Sequence, residues 1–117
     1  MKISDISKLL DAKIVCCEDA ACSTDVYSAC GSDMMSDVLA YVKDQAVLLT
    51  GLVNSQVIRT AQMMDMVCVV FVRSKRPTPE MIEIAKESSI VLLASPKRMY
   101  EACGTLYLNG LNGAVHE

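Results

Sequence analysis

Four of the six cysteines in this 117-residue chain fall within fifteen positions, at Cys16, Cys17, Cys22 and Cys30. Thiolates in such a group suit zinc or an iron–sulfur cluster. The spacing argues against it: no C-x-x-C pair occurs, adjacent Cys16 and Cys17 point to opposite faces of any strand that carries them, and Cys30 belongs to a separate segment. We therefore read reduced structural thiols, with a thiol-based metal or redox protein as the alternative function. Cys68 and Cys103 occupy apolar positions and read as small buried hydrophobes.

A second constellation is cationic. Five of the eleven basic residues directly follow two apolar runs: Arg73, Lys75 and Arg76 after residues 67–72, and Lys97 and Arg98 after residues 90–94. If the runs are neighbouring parallel strands, these residues gather at the carboxyl edge of the sheet, where ligands of open α/β folds bind. Lys97 and Arg98 would then lie in the first turn of a helix, where the macrodipole disfavours cations and an anion would offset the cost. Residues 50–55, Thr-Gly-Leu-Val-Asn-Ser, add a glycine and capping side chains at another helix start. The candidate ligand-binding residues are thus Thr50, Gly51, Asn54, Ser55, Arg73, Lys75, Ser95 and Lys97, for a small anionic, phosphate-bearing metabolite. A solvated charged rim is the competing reading.

Signals for catalysis are missing. The chain has no G-x-x-x-x-G-K-[ST], G-x-G-x-x-G or G-x-S-x-G. Its single histidine, His116, is penultimate, and an expected mobile tail positions a general base poorly. Asp33 and Asp37 are four apart, but one reads as a helix cap and the other as a complement to the helix start. An enzyme using Arg73 and Lys97 as electrophilic groups would lack a placed base. The expectation is a non-enzyme with no cofactor and no metal.

The positioning elements follow from periodicity. Residues 46–50, 67–72 and 90–94 are short, apolar and rich in β-branched residues, the pattern of strands buried on both faces. Residues 55–64 and 78–87 between them carry apolar residues at helical spacing: Val57, Ile58, Ala61 and Met64, then Met81, Ile82 and Ala85. Strand-helix-strand-helix-strand predicts a parallel α/β core. Before it, the pattern predicts a helix over 3–10 capped by Ser4, a strand over 13–17, a surface loop over 18–25 and a strand over 26–29. A helix capped by Ser32 or Asp33 follows, with Met34, Met35, Val38, Leu39 and Val42 inward. After it, Pro96 opens a last helix that Asn109-Gly110 stops. The expected division is one domain over 1–110 and a flexible tail over 111–117.

A hydrophobic fraction of 52% suits a doubly covered sheet. No run reaches the roughly 20 apolar residues of a membrane span, and the polar start is unlike a secretory signal, so a cytoplasmic protein is expected. A net charge of −3 with one Phe and no Trp argues against nucleic-acid binding. Of the eight methionines, Met63 and Met66 fall off the inward stripes and are the candidates for a contact surface.

Residues 32–39 (SDMMSDVL), 47–51 (VLLTG), 69–77 followed by Glu80, and 90–96 (IVLLASP) resemble a DRTGG domain. That family is similar to the N-terminal domain of HPr kinase/phosphorylase. The resemblance implies a single-domain three-layer α/β fold with a mostly parallel sheet, and a regulatory or assembly role, since members occur beside CBS domains or ahead of phosphotransacetylase domains. Gly51 is followed by Leu52-Val53 where many members carry Gly-Asp-Arg, and Arg73-Ser74-Lys75 stands where Thr-Gly-Gly is frequent. The kinase's nucleotide loop has no counterpart, so no kinase activity is implied. The expected partners are a second copy in a homodimer and either the metabolite or a partner enzyme.

Overall fold

The computed structural model describes residues 1–41 and 45–112. Eleven elements follow one another among them: α1 (Ile3–Leu9), β1 (Lys13–Cys16), α2 (Glu18–Ala21), β2 (Ser28–Gly31), α3 (Met35–Tyr41), β3 (Ala46–Thr50), α4 (Ser55–Met63), β4 (Cys68–Phe71), α5 (Pro79–Glu87), β5 (Val91–Ala94) and α6 (Met99–Leu108). The strands form one sheet in the order β1-β5-β4-β3-β2. Four are parallel, and β1 runs antiparallel to β5.

Each central strand is buried on both faces, as the apolar runs require. Side chains alternate between two cores. Leu48, Val69, Phe71 and Leu92 meet Val38 of α3, Val57, Ile58 and Ala61 of α4, and Met81 and Ala85 of α5. Val47, Leu49, Val70, Val91 and Leu93 meet Ile3 and Ile6 of α1, Ala21 of α2, and Ala102 and Leu106 of α6. The result is three layers with α3, α4 and α5 on one face and α1, α2 and α6 on the other.

Strands β2 to β5 lie side by side in chain order, so the helices joining them all fall on one face. That regularity breaks after β5, where the chain crosses to the opposite face to form α6. The segments leaving β4 and β5 therefore lead to opposite faces of the sheet. In open α/β sheets such a switch at the carboxyl ends of adjacent strands is where ligands bind.

The structure corrects several sequence expectations. Helix α1 begins one residue before Ser4: Lys2 is its cap, and the Asp5 carboxylate accepts the Lys2 amide at 3.2 Å. The expected loop over 18–25 contains the short α2, entered through Cys17 in the left-handed region at φ 63° and anchored by buried Ala21. Strand β2 lies two residues later than expected. Met34 and Leu39 are exposed while Met35 and Val38 carry the contact, which narrows the inward stripe of α3; Val42 lies outside the described residues. Met63 is exposed as expected, but Met66 is buried under the α3–α5 layer and cannot form a contact surface. Gly110, at φ 107°, ends α6 as expected, and Leu111 packs back into the core. Residues 113–117 of the expected tail, with His116, lie outside the described residues.

Candidate functional site

The carboxyl ends of β3, β4 and β5 are level. Thr50 pairs with Phe71, and Phe71 with Ala94, so the residues that follow form a row across the edge. The two basic groups are brought together, as expected for neighbouring strands. The Arg73 amide donates to the Lys97 carbonyl and the Ser74 amide to the Ser95 carbonyl, both at 2.8 Å. These bonds hold Arg73 and Ser74 at φ 56° and 58°, two successive left-handed residues without the freedom of glycine. The loop after β4 is thereby stapled to the turn after β5.

Gly51 allows a close approach. A side chain there would collide with the Arg73 guanidinium, because a Cβ on Gly51 would lie 3.1 Å from the Arg73 Cζ; the planar cation lies directly on the Gly51 backbone. Beside it, the Asp33 Oδ1 accepts from the Gly51 amide at 2.7 Å and from the Thr50 hydroxyl at 2.9 Å. The Gly51 amide bond is the main reason the Asp33 carboxyl is held below its usual range, with smaller help from the Thr50 hydroxyl and the Arg73 charge against partial burial. Asp33 is thus a strut between β2 and β3, not the cap of α3 expected from sequence. Its position just past a parallel strand was the available signal, hidden by the misplacement of β2.

Several expected ligand residues are committed to the protein itself. Thr50 is fully buried; its hydroxyl donates to Asp33 and accepts the Leu52 amide at 3.1 Å. Ser95 is fully buried; its hydroxyl donates to the Leu10 carbonyl at 2.7 Å and accepts the Lys97 amide at 3.1 Å. Asn54 caps α4 by accepting the Val57 amide at 3.3 Å, and Ser55 is the half-buried first residue of that helix. These groups position the edge of the sheet through bonds within the chain.

Lys97 and Arg98 precede α6 rather than occupying its first turn, because the helix starts at Met99 with Arg98 as its cap. The Lys97 ammonium lies 3.7 Å from both Asp11 and Glu101, so its charge is compensated within the chain. Arg73, Lys75 and Arg76 are exposed and form no ion pair among the described residues.

The antiparallel β1 adds a residue that inspection of strand C-termini misses. Lys13, the first residue of β1, pairs with Ala94, the last of β5, and so reaches the same edge from the opposite chain direction. A cleft of about 270 Å³ lies there, lined by Asp11, Lys13, Ser74, Arg76, Ser95 and Pro96 together with Ala94.

The four clustered cysteines do not converge. Cys16 lies on β1 and Cys30 on β2, the opposite edge strands, which four interstrand spacings put roughly 19 Å apart. Burial pushes the Cys16 thiol up to about 11, helped by neighbouring Cys17, and burial also raises Cys30, Cys68 and Cys103. Cys22 is exposed. Among the described residues no group of three or more His, Cys, Asp or Glu side chains is placed to hold a metal ion, and no helix is long and apolar enough to cross a membrane.

No family model matches the chain, and no curated protein does. Among solved structures it is similar to the CBS and DRTGG domains of the regulatory region of Clostridium perfringens pyrophosphatase, a structure complexed with the activator diadenosine tetraphosphate. The TM-score is 0.73 at 15% sequence identity, over 90% of this chain and 45% of that one. The chain therefore spans less than half the length of that regulatory region. The likeness establishes the fold: a single α/β domain with a mostly parallel five-stranded sheet, of DRTGG/CBS-like type.

Proposed function

We propose that this chain is a non-catalytic regulatory domain of DRTGG type, related through that family to the N-terminal half of HPr kinase/phosphorylase, and that it senses a small anionic, phosphate-bearing metabolite at the carboxyl edge of its sheet. The observation that carries the reading is the gathering of exposed Arg73, Lys75 and Arg76 in the loop that follows β4 at the carboxyl edge, with no ion pair to any of them among the described residues. The solved relative is a regulatory region bound to a nucleotide activator, which supports regulation over catalysis. The domain acts in the cytoplasm as a homodimer, and its exposed Met34 and Met63 supply adaptable contacts for the second copy or for docking on a partner enzyme.

The test is a thermal-shift and calorimetric screen of phosphate-bearing metabolites against the wild-type protein and the Arg73→Ala/Lys75→Ala/Arg76→Ala triple variant, with native mass read in parallel. Saturable binding that the triple variant weakens at least tenfold supports the sensor. A bare dimer that binds none of them moves the function to docking, and a monomer removes the dimer.

A further inference from the structure

We infer that a single tetrahedral phosphate group is seated in the cleft between Lys13 and Arg76, on the far side of the Arg73–Ser74 turn from Gly51. The inference rests on the sensor reading above and specifies where the charged group of its ligand lies.

Three independent features converge there. The first is topology: β4 and β5 send their following segments to α5 and α6 on opposite faces, and the cleft is lined by Ser74 and Arg76 from one segment and by Ser95 and Pro96 from the other. The second is charge. Lys13 and Arg76 line the cleft from two different segments, and neither forms an ion pair among the described residues. The one carboxylate on its wall, Asp11, lies 3.7 Å from the Lys97 ammonium and is balanced by it. The third is size. At about 270 Å³ the cleft falls just below the range that encloses whole drug-sized ligands, and it suits one anionic group while the rest of a larger molecule remains outside.

The surroundings favour side-chain recognition. The Arg73, Ser74 and Lys97 amides are spent on Lys97, Ser95 and the Ser95 hydroxyl, so the backbone offers no ring of free donors at this turn. Ser74 is exposed and lines the cleft, and its hydroxyl can donate to a phosphate oxygen held by the Lys13 ammonium and the Arg76 guanidinium. The left-handed turn at Arg73 and Ser74 is what directs the chain so that Arg73 faces Gly51 while Arg76 faces Lys13. Free phosphate and the phosphate end of an ester present the same chemistry to this pair.

Backbone amide resonances are followed while the full chain is titrated with inorganic phosphate and, separately, with glycerol 3-phosphate. The variants are Lys13→Gln, Arg76→Gln and Arg73→Gln. The expected result is saturable shifts centred on Ser74, Ala94 and Ser95, weakened at least tenfold by Lys13→Gln or Arg76→Gln and less than threefold by Arg73→Gln. Tighter binding of glycerol 3-phosphate identifies an ester as the source, and equal or tighter binding of inorganic phosphate identifies the free anion. Shifts centred on Gly51 and lost only in Arg73→Gln overturn this placement while sparing the sensor reading. No saturable shift with either probe overturns the placement, and the metabolite screen then decides the sensor reading separately.

Discussion

The Asp33 carboxylate and the Gly51 amide, 18 positions apart in sequence, are joined by a 2.7 Å hydrogen bond that ties the loop after β2 to the loop after β3. Because this bond, with the Thr50 hydroxyl and the Arg73 charge, holds the Asp33 carboxyl below its ordinary 3.8, its ionised form stabilises the fold. That contribution is complete above the unfolded-state value and is lost as pH falls through the lower folded-state value. Asp33→Asn keeps an acceptor oxygen and removes the charge. The urea midpoint of the wild type should exceed that of the variant at neutral pH, and the gap should close as pH drops below the ordinary carboxylate range. A gap of constant size would mean that the charge of Asp33 contributes nothing.

At Gly51, the obstacle to a side chain is the far end of a flexible Arg73, and no left-handed backbone angle stands in the way. Gly51→Ala should therefore change stability by no more than about 0.5 kcal/mol, the range of ordinary surface changes. It should nevertheless displace the guanidinium, seen as a shift of the Arg73 Nε–H resonance. A loss of several degrees in Tm would show that the stacked guanidinium is structural.

Ser95 differs from the other edge hydroxyls because it joins the first helix to the last turn of the sheet. Ser95→Ala leaves the buried Leu10 carbonyl without its donor, a loss of about 1–3 kcal/mol, and also frees the Lys97 amide. Chemical denaturation should show a lower midpoint with an unchanged slope. Stability equal to wild type would mean that another group replaces the hydroxyl.

The three central strands and two crossover helices were legible because double burial and helical periodicity leave few alternatives over residues 46–94. The edge of the sheet was legible only where strands run parallel. Arg73 and Lys97 follow strand ends and could be grouped from the sequence, whereas Lys13 precedes β1, and only the antiparallel pairing with β5 brings it to the same side. Thr50 and Ser95 lie at strand ends with their hydroxyls bonded to the Asp33 carboxylate and the Leu10 carbonyl, and such groups look alike in sequence whether they face a ligand or satisfy a neighbour. The pairing of Lys97 with Glu101 is local, four residues on, whereas its pairing with Asp11 from the start of the chain could be seen only in the fold.

The cysteines should react in the order of exposure and acidity. With iodoacetamide at pH 8 under native conditions, Cys22 should alkylate first, while Cys68, fully buried, and Cys16, pushed up to about 11, should remain unmodified. Mass spectrometry of a time course checks this. Rapid joint modification of Cys16 and Cys17 would reopen thiol chemistry at the start of α2.

The pairing of β1 with β5 also sets a schedule for synthesis. The Ser95 hydroxyl reaches the Leu10 carbonyl across 85 positions, and β1 acquires its strand partner among the described residues when β5 has been made. While residues 18–90 are still being added, β1 lacks the strand it pairs with. Ordering it requires closing most of the chain into one loop, a slow, non-local step. Translation therefore delivers β2, β3 and β4 in an order that lets them pair as they emerge, and the domain closes last at the edge that carries Lys13.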